Sequence, residues 1–170
     1  MTDGREERSD ARAVPFGRKL ANSDAFRLLF REGMDLIEET AGYLDGPGRR
    51  DSRGLPRDLA LAYATESMRL TTRLMQLASW LLLQRAVNEG EMTLAQADQE
   101  KHKVRVQNLT AETGALAGLP DSLLRLVERS LRLQERVQHL DAMLYGEPAS
   151  HGENAVADHL ARLKAVFDQD

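Results

Sequence analysis

Residues 56–90 read PRDLALAYATESMRLTTRLMQLASWLLLQRAVNEG, and this stretch decides the fold of the 170-residue chain. Pro56 suits the first turn of a helix, because its φ is fixed and it has no N–H to satisfy. No other proline or glycine follows until Gly90, which comes directly after a polar Asn-Glu pair. A glycine at this place is typical of a helix end. The pattern predicts one helix over residues 56–88, about 48 Å long.

Two adjacent apolar stripes run along this predicted helix. One stripe consists of Tyr63, Ser67, Leu70, Leu74, Leu77 and Leu81, and the other of Ala64, Met68, Thr71, Met75, Ala78 and Leu82. A helix that is apolar over so much of its circumference is buried from several sides. We therefore expect it to contact the core on one side and a second copy or another protein on the other. For Trp80, a lone tryptophan among leucines, packing in the core is favoured, and contact with a protein partner is the alternative.

The flanking segments predict further helices. Ser23 is a good N-cap for a first helix with a stripe of Phe26, Phe30, Gly33, Ile37, Thr40 and Leu44, and residues 45–56 predict a loop. Thr93 and Gln96 form a capping-box pattern that opens a short helix to about Lys103. Residues 103–119 predict an irregular connection, and residues 120–145 predict the last long helix.

The predicted fold is therefore all-α: a three-helix bundle with one long central helix, a short extra helix after it, and a flexible C-terminal tail. The predicted boundaries are a disordered N-terminus at 1–15, the bundle at 16–145 and the tail at 146–170. In the tail, four apolar residues fall on one side of a possible short helix: Val156, Leu160, Leu163 and Phe167. This stripe could dock in a groove of a partner, pack on its own bundle, or stay disordered.

The sequence predicts neither enzymatic activity nor a cofactor. The chain has no cysteine, and it has no nucleophile-elbow, zinc-protease, phosphate-loop or dinucleotide motif. Glu135 and His139 share a helix face and could form half of a metal site, but an exposed contact between them is favoured. We expect Glu38, Glu39 and Glu66 to be solvated, and we predict no metal site.

Charge and hydropathy argue against nucleic acid and membrane partners. The net charge is −4, and the loop arginines at 49, 50, 53 and 57 have no aromatic residues among them. The most apolar run, residues 74–83, is shorter than the ~20 residues that cross a bilayer. The N-terminus lacks the apolar segment of a secretory signal. We expect a soluble, cytoplasmic protein.

Three segments resemble the DUF1465 family. These are FGRKLANSDAF at 16–26, FREGMDLIEETAGYLDGPGR at 30–49 and AYATESMRLTTRLMQLASWLLLQRAVNEGEMT at 62–93. The resemblance implies a homodimeric three-helix bundle that acts as an adaptor in regulated proteolysis. Family members help the ClpXP protease degrade cell-cycle proteins such as CtrA. They bind a ClpX primed by CpdR, then capture cargo or the further adaptor PopA, and their flexible C-terminal tail takes part.

If this chain is an adaptor, we expect cargo and partner proteins to contact exposed parts of the first two long helices. Our candidate protein-interaction residues there are Arg69, Arg73 and Trp80. Two alternatives remain from the sequence: a dimeric helical scaffold without a role in proteolysis, and, less favoured, a DNA-associated regulator. The scaffold predicts dimerisation without an effect on protein turnover, whereas the regulator predicts strongly salt-dependent DNA binding.

Overall fold

A computed structural model of the chain describes residues 23–103 and 116–146. These residues form the helices α1 (Asp24–Asp45), α2 (Pro47–Arg53), α3 (Arg57–Asn88), α4 (Leu94–Lys103) and α5 (Asp121–Tyr145), and the described part of the chain contains no strand. The all-α prediction is confirmed. The predicted disordered N-terminus, the tail with Val156, Leu160, Leu163 and Phe167, and most of the predicted irregular connection lie outside the described residues.

The helices α1, α3 and α5 pack together as a bundle, with α1 antiparallel to both others. Glu32 and Glu39 of α1 pair with Arg136 and Arg129 of α5, in reverse order along the chain. Between α3 and α5 the contacts advance in the same order, from Arg73–Ser130 to Trp80–Asp141 to Gln84–Tyr145. Because α3 and α5 are parallel, they are not joined as a hairpin, and α4 comes between them in the chain.

The buried face of α1 differs from the predicted stripe. Its buried residues are Phe26, Leu29, Gly33, Leu36, Thr40 and Tyr43, whereas Phe30, Ile37 and Leu44 are only half-buried. The reason is that α1 packs against α3 and α5 together, so its core face is centred between them. The predicted residues Phe30, Ile37 and Leu44 lie at the edge of that face, next to α3.

The prediction of a loop over residues 45–56 is wrong in part, because α2 occupies most of it. Pro47 starts this helix, and the hydroxyl of Tyr43 donates a hydrogen bond to Asp51 at 2.9 Å. Gly48 is buried against Tyr63 and Tyr43, so closely that a Cβ there would overlap the hydroxyl of Tyr63. The absence of a side chain thus lets a short helix fit where the glycines and prolines indicated a loop.

Helix ends follow the sequence signals closely. The hydroxyl of Ser23 accepts the N–H of Phe26 at 3.3 Å. At α4, the amide of Thr93 donates to the side chain of Gln96 at 2.9 Å, and the amide of Gln96 donates back to the Thr93 hydroxyl at 3.2 Å. Both predicted caps are confirmed. None of the helices in the described ranges combines the length and the apolar character that a bilayer span requires.

Candidate protein-interaction surface

A row of large apolar side chains remains exposed along α3, and we call it the outer stripe. Its members are Leu61, Met68, Met75 and Leu82, which are 70%, 71%, 66% and 52% exposed. They recur at every seventh residue, so they share one helix face over about 32 Å. The residues between them on this face are small, among them Thr72 and Ser79. This is the spacing with which one helix packs along another at a shallow angle.

The outer stripe borders an apolar groove between α1 and α3, which we call the side groove. It has a volume of about 290 Å³, and α1 supplies Ile37, Ala41 and Leu44 to its wall. Met75 and Ala78 contribute from α3. The half-buried residues that sequence analysis assigned to the core of α1 therefore line a surface depression. The outer stripe and the side groove meet at Met75, which belongs to both.

A second depression, the end groove, lies where the start of α1 meets the end of α3, and it has a volume of about 610 Å³. Phe26, Phe30 and Met34 form its apolar part. Its charged lining is Arg27, Arg31, Asp35, Arg85 and Glu89. The guanidinium of Arg85 lies 5.3 Å from the centre of the Phe30 ring and donates to Glu89 at 2.8 Å. This groove is larger and more charged than the side groove.

Comparison with known proteins now identifies the family. The sequence model of a family described as "Protein of unknown function (DUF1465)" matches residues 17–167. The chain belongs to the DUF1465 family. A solved structure, RcdA from Caulobacter crescentus CB15, is 54% identical in sequence and superposes with a TM-score of 0.61. The match covers 76% of this chain and 98% of that one. No curated protein matches significantly.

One of the predicted interaction residues, Arg73, is not accessible to a partner protein. Arg73 is 1% exposed, and its guanidinium donates to the hydroxyl of Ser130 on α5 at 2.9 Å. Burial lowers the pKa of Arg73, and the nearby carboxylate of Glu66 opposes that shift. The expectation that Arg73 lies on an exposed part of the helix is wrong, because α5 covers it. Its effect on partner binding stays a prediction.

Glu66 and Arg69 form an ion pair at the edge of the same buried region. Arg69 donates to a carboxylate oxygen of Glu66 at 2.8 Å, with the arginine side chain 28% exposed and the glutamate 1% exposed. The expectation that Glu66 is solvated is therefore wrong, whereas Glu38 and Glu39 are exposed as expected. Of the three candidate interaction residues, only Arg69 reaches the surface, and its role stays a prediction.

Trp80 lies in the core at 4% exposure, as favoured for a lone tryptophan among leucines, and the alternative that it contacts a partner on an exposed surface is wrong. Its indole N–H donates to Asp141 on α5 at 2.7 Å, and Lys101 on α4 donates to the same carboxylate at 2.9 Å. The ammonium of Lys101 also lies 4.0 Å from the centre of the Tyr145 ring. One carboxylate thus joins α3, α4 and α5, and this role explains why the tryptophan is buried.

Glu135 and His139 line a third depression, between the start of α1 and the end of α5, together with Arg136 and Leu29. Both residues are exposed. Among the described residues, no group of three or more histidine, aspartate or glutamate side chains comes together as a metal site would require.

Sequence reasoning missed a polar stripe on α3 that faces α5. The stripe consists of Glu66, Arg73 and Gln84, interleaved with Leu70, Leu77 and Trp80 at steps of three and four residues. That spacing is the available signal, because polar residues in register with leucines on a helix are placed towards the core. A search for apolar residues alone does not detect this polar stripe.

Proposed function

We propose that this chain is a non-enzymatic protease adaptor. It promotes ClpXP degradation of cell-cycle regulators such as CtrA by tethering cargo to a protease that CpdR has primed. The observation that carries the proposal is the outer stripe with its adjoining side groove, in a chain that is 54% identical to RcdA. The proposal also includes a homodimer, binding of PopA, and a cytoplasmic location.

The outer stripe supports a protein partner on physical grounds. Contiguous exposed apolar surface of this kind marks interaction sites in soluble proteins. Two of the four members are methionines, whose flexible and polarisable side chains fit partner surfaces of varied shape. The family membership adds the expectation of regulated proteolysis that the sequence resemblance implied.

Tethering requires no catalytic group in the adaptor. Holding cargo beside the protease raises its effective concentration there, and several weak contacts made together increase avidity by about 10²–10⁴. ClpX then supplies the ATP-driven unfolding. A bundle that presents separate surfaces for a second copy and for partners is suited to this role.

We assign the outer stripe to the homodimer, with the two α3 helices antiparallel. In an antiparallel pairing about the centre of the stripe, Leu61 of one copy meets Leu82 of the other, and Met68 meets Met75. All four side chains are then covered by an apolar partner, as a two-fold symmetric interface requires. The midpoint falls between Thr71 and Thr72, where small side chains let the helices approach closely.

Cysteine cross-linking tests this arrangement cleanly, because the chain contains no cysteine of its own. The single variant Thr72→Cys should form a disulfide-linked dimer under mild oxidation. Leu61→Cys and Leu82→Cys should cross-link when mixed and not when alone. Cross-linking of Leu61→Cys with itself and of Leu82→Cys with itself would instead indicate a parallel pair. Failure of all combinations would refute the assignment of the stripe to the dimer.

A reconstituted degradation assay tests the adaptor role. ClpXP, CpdR and CtrA are combined with and without this protein, and CtrA is followed over time. We expect faster loss of CtrA with the protein present, and a reduced effect for Met68→Glu with Met75→Glu. Met143→Glu, at another exposed methionine on α5, is the matched control and should retain the effect. A dimer that leaves CtrA turnover unchanged would support the scaffold function instead.

A further inference from the structure

We propose that the side groove belongs to the interface between two copies of this chain, and that Met68 of the second copy fills it. The inference rests on the homodimer of the proposed function and adds a second contact to it, which brings α1 into the interface. Three observations point to this occupant: the area that a stable dimer needs, the polarity of the surfaces beside the outer stripe, and the register of the antiparallel pair.

The outer stripe alone is small for a stable dimer. Fully burying one leucine or methionine side chain removes roughly 60–120 Å² of apolar surface from water. The four large side chains of the stripe are already partly covered, so they supply at most roughly 240–480 Å². A standard interface buries about 800 Å² on each partner. We therefore expect the second copy to cover further surface beside the stripe.

The two flanks of the outer stripe differ in polarity, and this difference indicates where the further surface lies. Arg69 and Gln76, seven residues apart on one helix face, border the stripe on the flank towards α5. The other flank is the side groove. Among the described residues that line this groove, Asp45 alone is charged, and it is paired with Arg49 at 3.2 Å. Covering the groove therefore removes little polar surface from water, whereas covering the other flank desolvates a partly exposed arginine.

The outer face of α3 has no charged side chain that would oppose pairing with itself. Between Asp58 and Arg85 the charged residues of this helix are Glu66, Arg69 and Arg73. Glu66 and Arg73 are buried towards α5, and Arg69 is paired with Glu66 at 2.8 Å. In a two-fold interface a face meets its own copy, so a charge near the axis would meet a like charge. The uncharged outer face favours a second copy as its partner.

The register of the antiparallel pair selects Met68 as the occupant. When Leu61 lies opposite Leu82, residues 71–78, which form the α3 wall of the groove, lie opposite residues 65–72 of the second copy. Met68 is the member of the outer stripe that falls in this range. Its unbranched side chain adapts to irregular space. Its four heavy atoms, at ~30 Å³ for each water-sized group, need roughly 120 Å³, and the groove offers about 290 Å³.

Filling the groove and shortening its occupant both test this contact. Ala41 is exposed and lines the groove, so Ala41→Trp should occupy the space that Met68 needs. We expect the dimer dissociation constant to rise at least about tenfold in sedimentation equilibrium. Met68→Ala should weaken the dimer as well, because it leaves two grooves empty. Ala142→Trp, the same change at an exposed position on α5, is the matched control and should leave the constant within about twofold. Circular dichroism verifies that each variant remains helical.

A mixture of the two weakened variants gives the most specific result. In a mixed dimer, the filled groove of the Ala41→Trp copy meets the shortened side chain of the Met68→Ala copy. The unmodified groove of the Met68→Ala copy receives the intact methionine of the other. Both grooves are then occupied without overlap. Native mass spectrometry should therefore show the mixed dimer well above its statistical share.

The outcomes separate this inference from the proposed dimer. A protein that stays monomeric at every concentration refutes the dimer and, with it, the filling of the groove. A dimer whose dissociation constant is unchanged by Ala41→Trp leaves the pairing of the outer stripes standing and refutes the inference alone. A statistical mixture of the two weakened variants refutes the role of Met68. If Ala41→Trp leaves the dimer intact but abolishes the stimulated degradation of CtrA, the groove binds another protein instead.

Discussion

The close approach of α1 to α3 at Gly33 leads to a sharp prediction about two glycines of the same helix. A Cβ built on Gly33 would lie 2.5 Å from Cδ1 of Leu81, whereas a Cβ on Gly42 would meet nothing within 4 Å. We therefore expect Gly33→Ala to destabilise the bundle and Gly42→Ala to stabilise it. The chemical change is identical in the two variants, so only the surroundings differ.

The magnitude follows from two opposing effects. Replacing glycine by alanine inside a helix stabilises it by roughly 0.5–1 kcal/mol, and Gly42→Ala should show this gain. At Gly33 the new methyl is about 1 Å closer to Leu81 than the ~3.5–4.0 Å of optimal carbon contact. Leu81 is fully buried, and Leu133 lies 3.6 Å from the same point, so neither side chain has free space. Overpacking costs about 1–3 kcal/mol, and the helix gain is common to both variants, so they should differ by about 1–3 kcal/mol in unfolding free energy.

Urea unfolding followed by circular dichroism measures this difference, with all samples at one protein concentration because the apparent stability of any protein that self-associates depends on its concentration. Trp80 fluorescence provides a second probe of the same transition. A double variant that combines Gly33→Ala with Leu81→Ala should be more stable than the sum of the single effects predicts, because the new methyl partly fills the cavity. Equal stability of Gly33→Ala and Gly42→Ala would refute the described packing of α1 on α3.

Three further predictions concern the polar contacts of the bundle. In the same denaturation assay, Arg73→Ala should lower the unfolding free energy by about 3 kcal/mol, because it leaves buried polar partners unsatisfied. Arg129→Ala, which removes an exposed ion pair, should lower it by less than about 1 kcal/mol. Asp141→Ala should lower the unfolding free energy by about 1–3 kcal/mol. It should also speed hydrogen exchange in α4, because the carboxylate of Asp141 links α4 to α3. Unchanged exchange in α4 would argue against this link. Burial first, and then the charge of Asp141, raises the pKa of Tyr145 from 10.0 to about 12. The protonated hydroxyl of Tyr145 therefore contributes its full stabilisation below pH 10, and this contribution is lost towards pH 12. Tyr145→Phe should make the decline of the unfolding free energy between these pH values shallower.

Much of the fold could be predicted because the signals are local. The long helix follows from the position of Pro56 and the next glycine at 90, and the cap at Ser23 and the capping box at Thr93 need only neighbouring residues. The helix α2 could not be predicted in this way. It depends on the close fit of Gly48 against Tyr43 and against Tyr63, and Tyr63 belongs to the next long helix.

The interaction surface was predictable in part. Sequence analysis gave two apolar stripes on α3 and more apolar surface than one neighbour covers, and the structure exposes Met68, Met75 and Leu82 from the second stripe. It did not place Arg73 in the core, and it left Trp80 as a candidate for both core and surface, because their partners on α5 lie 57 and 61 residues later. A charged or large side chain on an apolar helix can lie in the core or on the surface, and its hydrogen-bond partner decides between them.

The parallel arrangement of α3 and α5 also has a consequence for synthesis on the ribosome. The antiparallel pair of α1 and α3 is complete when residue 88 has emerged, but Ser130, the partner of Arg73 on α5, follows residue 88 by another 42 residues. At typical elongation rates this interval lasts about 2–8 s. During that time Glu66, Arg73 and Gln84 face water along the uncovered side of α3, among leucines that would otherwise form an unbroken apolar face. We expect these polar residues to keep that side of the nascent hairpin hydrated until α5 has emerged.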